Sequence, residues 1–236
     1  CTGVEILLRW NNPRQGWITP EVFIPLAEEH NQIVPLTRYV IAETVRQIGY
    51  FPSSPGFHIG INVAASHFRN AVLIQDLNRL WFSANPRQQL VIELTERDAL
   101  LDADYRIVRE LHRKGVKLAI DDFGTGNSSL SWLEKLHPDV LKIDQSFTTA
   151  IGTDAVNSTV TDMIIALGQR LNIELVAEGV ETEEQARYLR RHGVPVLQGF
   201  FYARPMPLRD FPDWLAGSAP PPARHNGHIV PLMPLR

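Results

Sequence analysis

The sequence predicts a (β/α) barrel, a fold in which parallel strands alternate with the helices that cover them. Two observations predict it: short apolar runs recur along the chain, and a helical pattern follows each of them. The runs are continuously apolar and do not alternate, as expected for parallel strands that are buried on both faces. Strand–helix alternation over 236 residues favours one barrel domain over an open doubly wound sheet.

Seven strands are predicted, which is one fewer than a closed barrel of eight requires. They lie at about 4–10, 58–64, 90–96, 117–123, 140–145, 174–181 and 196–201. Because the chain starts inside a strand-like run, we expect the first strand of the barrel to precede Cys1. The prediction is therefore one domain over residues 1–216, N-terminally incomplete and lacking its first strand.

Local signals mark the ends of several predicted elements. Thr19-Pro20-Glu21 places an N-cap, a proline at the first helical position and an early acid before an amphipathic run. Thr182 to Gln185 form a capping box, and Gly193 suits the end of the same helix. From about Gly217 the chain is rich in proline and has no periodicity, so residues 217–236 are predicted to be a largely disordered tail.

Composition excludes several classes of partner. The formal net charge of −3 leaves no basic surface for duplex DNA or RNA. Cys1 is the single cysteine, which excludes an intramolecular disulfide and a thiolate metal cluster and suits a reducing compartment. No apolar run approaches the roughly 20 residues of a membrane span, and no secretory signal is visible. We expect a cytoplasmic domain without direct membrane contact, whose parent protein carries further N-terminal modules and could be membrane-anchored.

Polar residues interrupt each of the apolar runs, Glu5 within the first and most of the others in the C-terminal half of theirs. The C-terminal ends of barrel strands meet at one mouth, where the active sites of such barrels are built. Side chains two residues apart on a strand share a face, so Lys142 and Asp144 are expected to point the same way. The polar residues are Glu5, Asn62, Glu93, Glu96, Asp121, Asp122, Lys142, Asp144, Glu178, Glu181 and Gln198.

So many acids at one mouth indicate a metal site. Carboxylates crowded together raise one another's pKa, and burying them unpaired is costly, so divalent cations relieve both costs. Oxygen ligands without cysteine or clustered histidine favour hard ions such as Mg²⁺ or Mn²⁺. Asp121 and Asp122 are adjacent, so one could bridge two ions while the other completes the second site. Two neighbouring metal ions suit phosphodiester cleavage.

Each of these features has a structural alternative when it is taken alone. A single acid at a strand end is more often a helix cap or an ion-pair partner, and Lys142 could simply pair with Asp144. Gly124-Thr125-Gly126, followed by Asn127-Ser128-Ser129, is either a tight turn with a cap or a mobile loop beside the metal ions. His225 and His228 could form a metal site of their own, although solvated side chains are favoured in such a tail. We favour the site interpretation because solvation alone does not explain one polar residue per strand at the same end.

Seven ordered blocks resemble the EAL domain family of cyclic di-GMP phosphodiesterases. They are GVEILLRW, INVAASHF, IELTERD, DDFGTGNSSL, LKIDQSF, VAEGVET and QGFFYARP, and the resemblance runs from Gly3 to about Leu215. It implies a (β/α)8 TIM-like barrel and a phosphoric diester hydrolase that converts cyclic di-GMP to linear pGpG with two divalent ions, Mg²⁺ or Mn²⁺. Such signalling is chiefly bacterial, and the resemblance implies a larger multidomain signalling protein.

The resemblance also implies roles for individual residues. One metal ion would be ligated by Glu5, Asn62, Glu93 and Asp121, and the other by Asp121, Asp122 and Glu178. Lys142 would hold or help deprotonate the nucleophilic water, with Asp144 nearby, so the catalytic set is Lys142, Asp144, Glu5 and Glu178. Arg9 would contact a substrate phosphate and Gln198 would line the pocket. Glu96 and Glu181 would brace the glycine-containing loop, through which family members couple dimerisation to activity, so a homodimer is expected at the level of the family.

The sequence departs from the family pattern at three places. Ile6 stands in the usual alanine position, Asn127 replaces the usual tyrosine of the loop, and the first strand with its helix is missing before Gly3. The main alternative function is a degenerate EAL domain that binds cyclic di-GMP without hydrolysing it, but such members have typically lost metal ligands that are present here. A second alternative is an unrelated metal-dependent barrel enzyme that acts on a sugar or an enolisable acid; the DDFGTG and VAEGVE strings argue against it.

Overall fold

The computed structural model describes residues 1–68, 71–102, 105–126, 131–152, 156–217 and 229–234. Ten strands are assigned in these ranges: β1 (Gly3–Ile6), β2 (Trp10–Asn12), β3 (Gly16–Ile18), β4 (His58–Asn62), β5 (Gln89–Thr95), β6 (Lys117–Phe123), β7 (Val140–Ile143), β8 (Glu174–Ala177), β9 (Val196–Leu197) and β10 (Ile229–Pro234). Eight of them form a closed barrel in the order β1-β10-β9-β8-β7-β6-β5-β4, while β2 and β3 pair as a separate hairpin. The predicted barrel is confirmed.

Eleven helices are assigned in the same ranges. They are α1 (Pro20–Glu29), α2 (Ile33–Arg46), α3 (Ala65–Phe68), α4 (Val72–Leu80), α5 (Glu96–Asp102), α6 (Tyr105–Arg113), α7 (Ser131–Leu136), α8 (Gln145–Thr149), α9 (Val156–Leu171), α10 (Glu183–Arg191) and α11 (Phe211–Leu215). Pro20 begins α1 as predicted, and the capping box of Thr182 and Gln185 is formed at α10. Among the described helices, none is both long and apolar enough to cross a membrane.

The seven predicted strands all occur, and they run parallel to one another from β1 through β4 to β9. Several end earlier than the apolar runs indicate: β1 ends at Ile6, β8 at Ala177 and β9 at Leu197. The reason is that the polar ends of these runs leave the sheet for turns. Gly179, for example, has a φ of +64°, which a strand does not accept. Two of the predicted site residues, Glu178 and Gln198, lie directly after strands that end in this way.

The eighth strand comes from the tail, within residues 217–236, which the sequence predicts to be largely disordered. β10 lies between β1 and β9, antiparallel to both, and pairs Glu5 with Val230 and Val196 with Pro234. Strand edges expose unpaired N–H and C=O groups, which a further strand satisfies. Two prolines in IVPLMP interrupt the strand pattern in the sequence, and such residues are tolerated only where a ladder hydrogen bond can be lost. Residues 218–228, with His225 and His228, lie outside the described ranges.

The barrel interior is built in layers, and the polar side chains form one of these layers. Inward-facing residues from neighbouring strands fill one apolar layer, which consists of Val91, Ala119, Val140, Val176 and Val196. Residues two positions further along each strand face the same way. The next layer toward the C-terminal mouth is therefore polar, and its members from these strands are Glu93, Asp121, Lys142, Glu178 and Gln198. The larger apolar core lies between the outer face of the sheet and the helices.

Candidate metal centre

Five carboxylates gather at the C-terminal mouth of the barrel. One oxygen from each of Glu5, Glu93 and Asp121 lies within 4.8 Å of the others, and the same is true of Asp121, Asp122 and Glu178. Asp121 belongs to both groups. The two overlapping sets of three oxygen donors are of the ligand type that Mg²⁺ or Mn²⁺ prefers. A carboxylate shared between them is suited to bridge two ions.

Lys142 lies at the centre of these acids. Its Nζ atom is 2.6 Å from Glu93, 2.7 Å from Glu178, 3.1 Å from Asp121 and 3.3 Å from Glu5. The side chain is only 3% exposed, so all four contacts are shielded from solvent. The alternative in which Lys142 simply pairs with a neighbouring acid of its own strand does not account for this arrangement.

Asp144 has a local role that the sequence did not reveal. β7 ends at Ile143, and Asp144 is the N-cap of α8, where its carboxylate accepts hydrogen bonds from the backbone N–H and the hydroxyl of Ser146. It still lies close enough to Asp122 to disfavour the charged form of that carboxyl. Asp144 is thus at the edge of the centre and not among the partners of Lys142.

Two amide side chains orient Glu5. Asn62 donates from Nδ2 to Oε1 of Glu5 at 2.7 Å, and Gln198 donates from Nε2 to Oε2 of Glu5 at 2.9 Å. The amide oxygen of Asn62 is not used in this hydrogen bond. Gln198 Oε1 is buried and has no hydrogen-bond partner among the described residues. A buried acceptor of this kind beside clustered carboxylates fits a cation or its coordinated water, so the residues present fit divalent metal ions.

The pKa shifts show how unfavourable the bare cluster is. Burial, together with the neighbouring Glu5 and Asp121, raises the pKa of Glu93 to about 8 against the opposing effect of Lys142. Burial and the same kind of repulsion raise the pKa of Glu178 as well. Burial also acts on Glu5, but Lys142 and the two amide hydrogen bonds outweigh it and lower the pKa of Glu5.

Outside the innermost layer, burial and the nearby Asp121 and Asp144 raise the pKa of Asp122 to about 6. Asp122 also has a φ of +53°, in the left-handed region that residues other than glycine rarely adopt. Strained backbone of this kind concentrates at functional sites. The positive φ of Asp122 turns the chain directly after Asp121, the residue that the two groups of carboxylates share.

Gly60 is a site residue that the sequence analysis missed. It lies in β4, two positions before Asn62, and a Cβ atom at this position would collide with Oε1 of Glu93. The missing side chain therefore makes room for the Glu93 carboxylate. The available signal was a glycine inside a predicted strand, which often marks the close approach of another group.

The loop after β6 is held by one of the two acids predicted to brace it. Glu96, the first residue of α5, is 4% exposed and accepts hydrogen bonds from the backbone N–H of Gly124 at 2.9 Å and of Gly126 at 3.4 Å. Glu181 is exposed, and its backbone N–H donates to Gln185. Asn127, Ser128 and Ser129 lie outside the described residues, so the structure shows the Glu96 brace for 124–126 alone.

A cleft opens beside the carboxylates. Its volume is about 280 Å³, and Arg9, Asn62 and Glu93 contribute to one side of it. The walls are largely apolar and come from α1 and α2, with Ile24, Ile33, Leu36 and Val40 among the lining residues. The Arg9 guanidinium is partly buried and donates from Nη1 to the carbonyl of Leu8. The cleft thus combines charged and apolar walls, and its volume suits a small ligand.

Comparison with known families matches the EAL domain over residues 1–205. The chain belongs to the EAL domain family. The barrel, the acidic mouth and the lysine are therefore features of an EAL domain, and the resemblance stated from the sequence blocks is confirmed.

Curated relatives of this EAL domain include two that differ widely in similarity. The probable cyclic di-GMP phosphodiesterase PdeD of Escherichia coli is 80% identical over 236 residues, which is 100% of this chain and 44% of the relative. The bifunctional diguanylate cyclase/cyclic di-GMP phosphodiesterase MucR of Pseudomonas aeruginosa is 41% identical over 87% of this chain and 31% of its own. The chain thus spans less than half the length of these relatives.

Solved structures of other EAL proteins have the same fold as this chain. The PaMucR phosphodiesterase in complex with c-di-GMP has a TM-score of 0.80 and 39% identity, covering 89% of this chain and 87% of its own. The EAL enzyme Bd1971, in a form bound to cAMP and cyclic di-GMP, has a TM-score of 0.83 and 28% identity, covering 91% of this chain and 60% of its own.

Proposed function

We propose that this EAL domain hydrolyses cyclic di-GMP to linear pGpG with two divalent metal ions, Mg²⁺ or Mn²⁺. The observation that carries the proposal is the pair of carboxylate groups that share Asp121 at the barrel mouth. The relatives add support, since PdeD is described as a probable cyclic di-GMP phosphodiesterase and PaMucR is a phosphodiesterase in complex with c-di-GMP.

The described residues divide into two ligand sets. One ion would be held by Glu5, Asn62, Glu93 and Asp121, and the other by Asp121, Asp122 and Glu178. Two such ions supply Lewis-acid stabilisation for the charge that develops on the phosphoryl oxygens. The protein's contribution is to hold the donors in place before the substrate arrives, as the amides of Asn62 and Gln198 do for Glu5.

Proton transfer and positioning belong to the side chains around these ligands. The ammonium of Lys142, at the centre of the acids, would hold the nucleophilic water, and its positive charge would favour transfer of the water's proton to a neighbouring carboxylate. Asp144 acts at the rim, where its charge affects Asp122. Glu5 and Glu178 complete the catalytic set, since each would ligate one of the two ions and each contacts Lys142.

The cleft beside the acids supports binding of a nucleotide. A phosphodiester needs a cationic contact, and Arg9 lies at the junction of the cleft and the carboxylates. A purine base needs apolar walls, which α1 and α2 supply. Gln198 would line the substrate pocket beside Glu5, to which it donates a hydrogen bond. One face of cyclic di-GMP would therefore meet the ions while a base occupies the cleft.

The larger assembly is also a proposal. We propose that residues 1–216 act as one module of a multidomain signalling protein, which the lengths of the relatives support. A cytoplasmic module of a parent protein that could be membrane-anchored, and a homodimer coupled through the loop braced by Glu96, complete the proposal.

The test is hydrolysis of cyclic di-GMP with Mg²⁺ or Mn²⁺, with and without a chelator, with linear pGpG read by chromatography. We expect chelator-sensitive product and its loss in Glu5→Ala. The matched control is Glu183→Ala, since Glu183 is exposed on α10 and its ion-pair partner is Arg187 and not Lys142. Product that persists with chelator, or in Glu5→Ala, would overturn the metal assignment. Metal-independent binding without product by the folded protein would favour the receptor alternative.

A further inference from the structure

Lys142 touches both groups of carboxylates that the metal ions would use. Its ammonium contacts Glu5 and Glu93 from the first group, Glu178 from the second, and the shared Asp121. A lysine that only positioned a substrate water would be expected to point at the substrate side of the ligands. This one is enclosed by them.

The charges of the cluster require a buried cation. Five carboxylates of the two groups lie together, and Lys142 is the cation that contacts four of them in the described part of the chain. The side chain is 3% exposed, and the innermost partners, Glu5 and Glu93, are 6% and 3% exposed. Isolated charges of one sign at such depth are strongly disfavoured. The ammonium therefore supplies the positive charge that holds the acids together.

We propose, on the basis of the proposed two-metal function, that Lys142 is an internal counter-ion that competes with the divalent ions for their ligands. It stabilises the cluster without metal, and it weakens metal binding because a bound ion must share or displace its contacts with Glu93, Glu178 and Asp121. Lys142 thereby sets the concentration of Mg²⁺ or Mn²⁺ at which the centre fills.

The opposite expectation follows if Lys142 acts solely on the nucleophilic water. Removing the ammonium would then leave metal affinity unchanged, or would lower it through a general loss of order among Glu5, Glu93 and Asp121. Metal affinity measured without substrate therefore separates the two roles.

The experiment is a titration of the metal-free protein with Mn²⁺, followed by electron paramagnetic resonance of the free ion and by calorimetry. Lys142→Met keeps the length of the side chain and removes its charge. The matched control is Lys117→Met, because Lys117 lies at the other end of the barrel, in β6, and pairs with the single acid Glu174. A unit charge within a few Å of the ligands acts strongly on a divalent ion. We expect Mn²⁺ to bind Lys142→Met at least about tenfold more tightly than the wild type, and Lys117→Met to be unchanged.

Thermal unfolding provides the second readout. In chelator, Lys142→Met should melt below the wild type, and Mn²⁺ should raise its Tm by more than it raises that of the wild type. If the variant is partly unfolded in chelator, the Kd of its folded form is the apparent Kd multiplied by the folded fraction, and a value at or above the wild-type Kd overturns the proposal. Equal or weaker Mn²⁺ binding by Lys142→Met, with normal binding by the wild type, overturns the counter-ion role alone. Failure of Mn²⁺ to bind the wild type would instead overturn the two-metal function, and this inference with it.

Discussion

Replacing Glu96 by glutamine tests how far the loop after β6 supports the metal centre. The carboxylate is buried and accepts backbone hydrogen bonds from Gly124 and Gly126, shortly after the proposed ligands Asp121 and Asp122. Hydrogen bonds to a charged acceptor contribute about 1.5–3 kcal/mol each, and neutral ones about half of that. Glutamine keeps the shape and one acceptor oxygen but loses the charge. The Gly124 bond alone would lose about 0.75–1.5 kcal/mol, and the Gly126 bond, at 3.4 Å, would lose less, so the loop should be less stable by about 1–2 kcal/mol in its observed conformation.

This loss predicts that Glu96→Gln lowers the turnover of cyclic di-GMP by about five- to thirtyfold at saturating Mg²⁺, if the loop conformation is required for the reaction. The assay is steady-state formation of linear pGpG, with Mn²⁺ affinity and Tm measured on the same preparation. Glu96→Ala, which removes both acceptors, should lose more. Glu181→Gln is the matched control, because Glu181 is exposed, and it should stay within about twofold of the wild type. Full turnover in Glu96→Gln would refute the reasoning, and an equal loss in Glu181→Gln would restore the pair of braces expected from the sequence.

Three further outcomes are expected. Burial lowers the pKa of His67 against the opposing effect of Asp76, so folding favours the neutral ring; its contribution to stability is complete above the unfolded pKa of 6.5 and declines as the pH falls below it. His67→Gln should therefore lose less Tm than the wild type between pH 7.5 and 5.5. Burial also lowers the pKa of His58, so part of the dependence of Tm on pH should remain in the variant. An unchanged dependence of Tm on pH would contradict the role given to His67. Deleting residues 227–236 should lower the Tm by roughly 5 °C or more, because β1 and β9 lose the backbone hydrogen bonds of β10. Deleting residues 235–236 alone should leave the Tm unchanged. Equal Tm values for the two deletions would show that β10 adds no stability. Arg9→Lys should raise KM by roughly three- to tenfold with a smaller change in kcat, since lysine cannot form a bidentate contact with phosphate; a fall in kcat alone would place Arg9 in the chemistry.

The sequence predicted the seven parallel strands and the polar mouth because both depend on local sequence patterns. A buried parallel strand is a continuous apolar run, and a polar residue near its C-terminal end necessarily faces the same mouth as its counterparts. Glu5, Asn62, Glu93, Asp121 and Glu178 could therefore be grouped without coordinates. The partners of Lys142 could not be chosen in this way. Asp144 is its neighbour in sequence, whereas barrel closure brings in acids from four other strands or strand ends.

The features that the sequence did not predict depend on contacts between distant segments. β10 is interrupted by prolines and has no strand pattern of its own; it forms where the edges of β1 and β9 provide hydrogen-bond partners. Glu96 and Glu181 occupy similar positions after apolar runs, yet Glu96 begins a helix facing the loop while Glu181 precedes a capping box that turns it toward solvent. Neither difference is visible in the composition of the runs.

The apolar layer below the mouth explains why this centre needs cations at all. Val91, Val140 and Val176 close the barrel beneath the carboxylates, so water does not solvate the acids from below. Burial is accordingly the largest contribution that raises the pKa of Glu93 and of Glu178. The same strands that stabilise the fold by filling its interior thereby leave the next layer short of solvation. The positive charge of Lys142 offsets this loss of solvation, and in the proposed function the divalent ions would offset more of it.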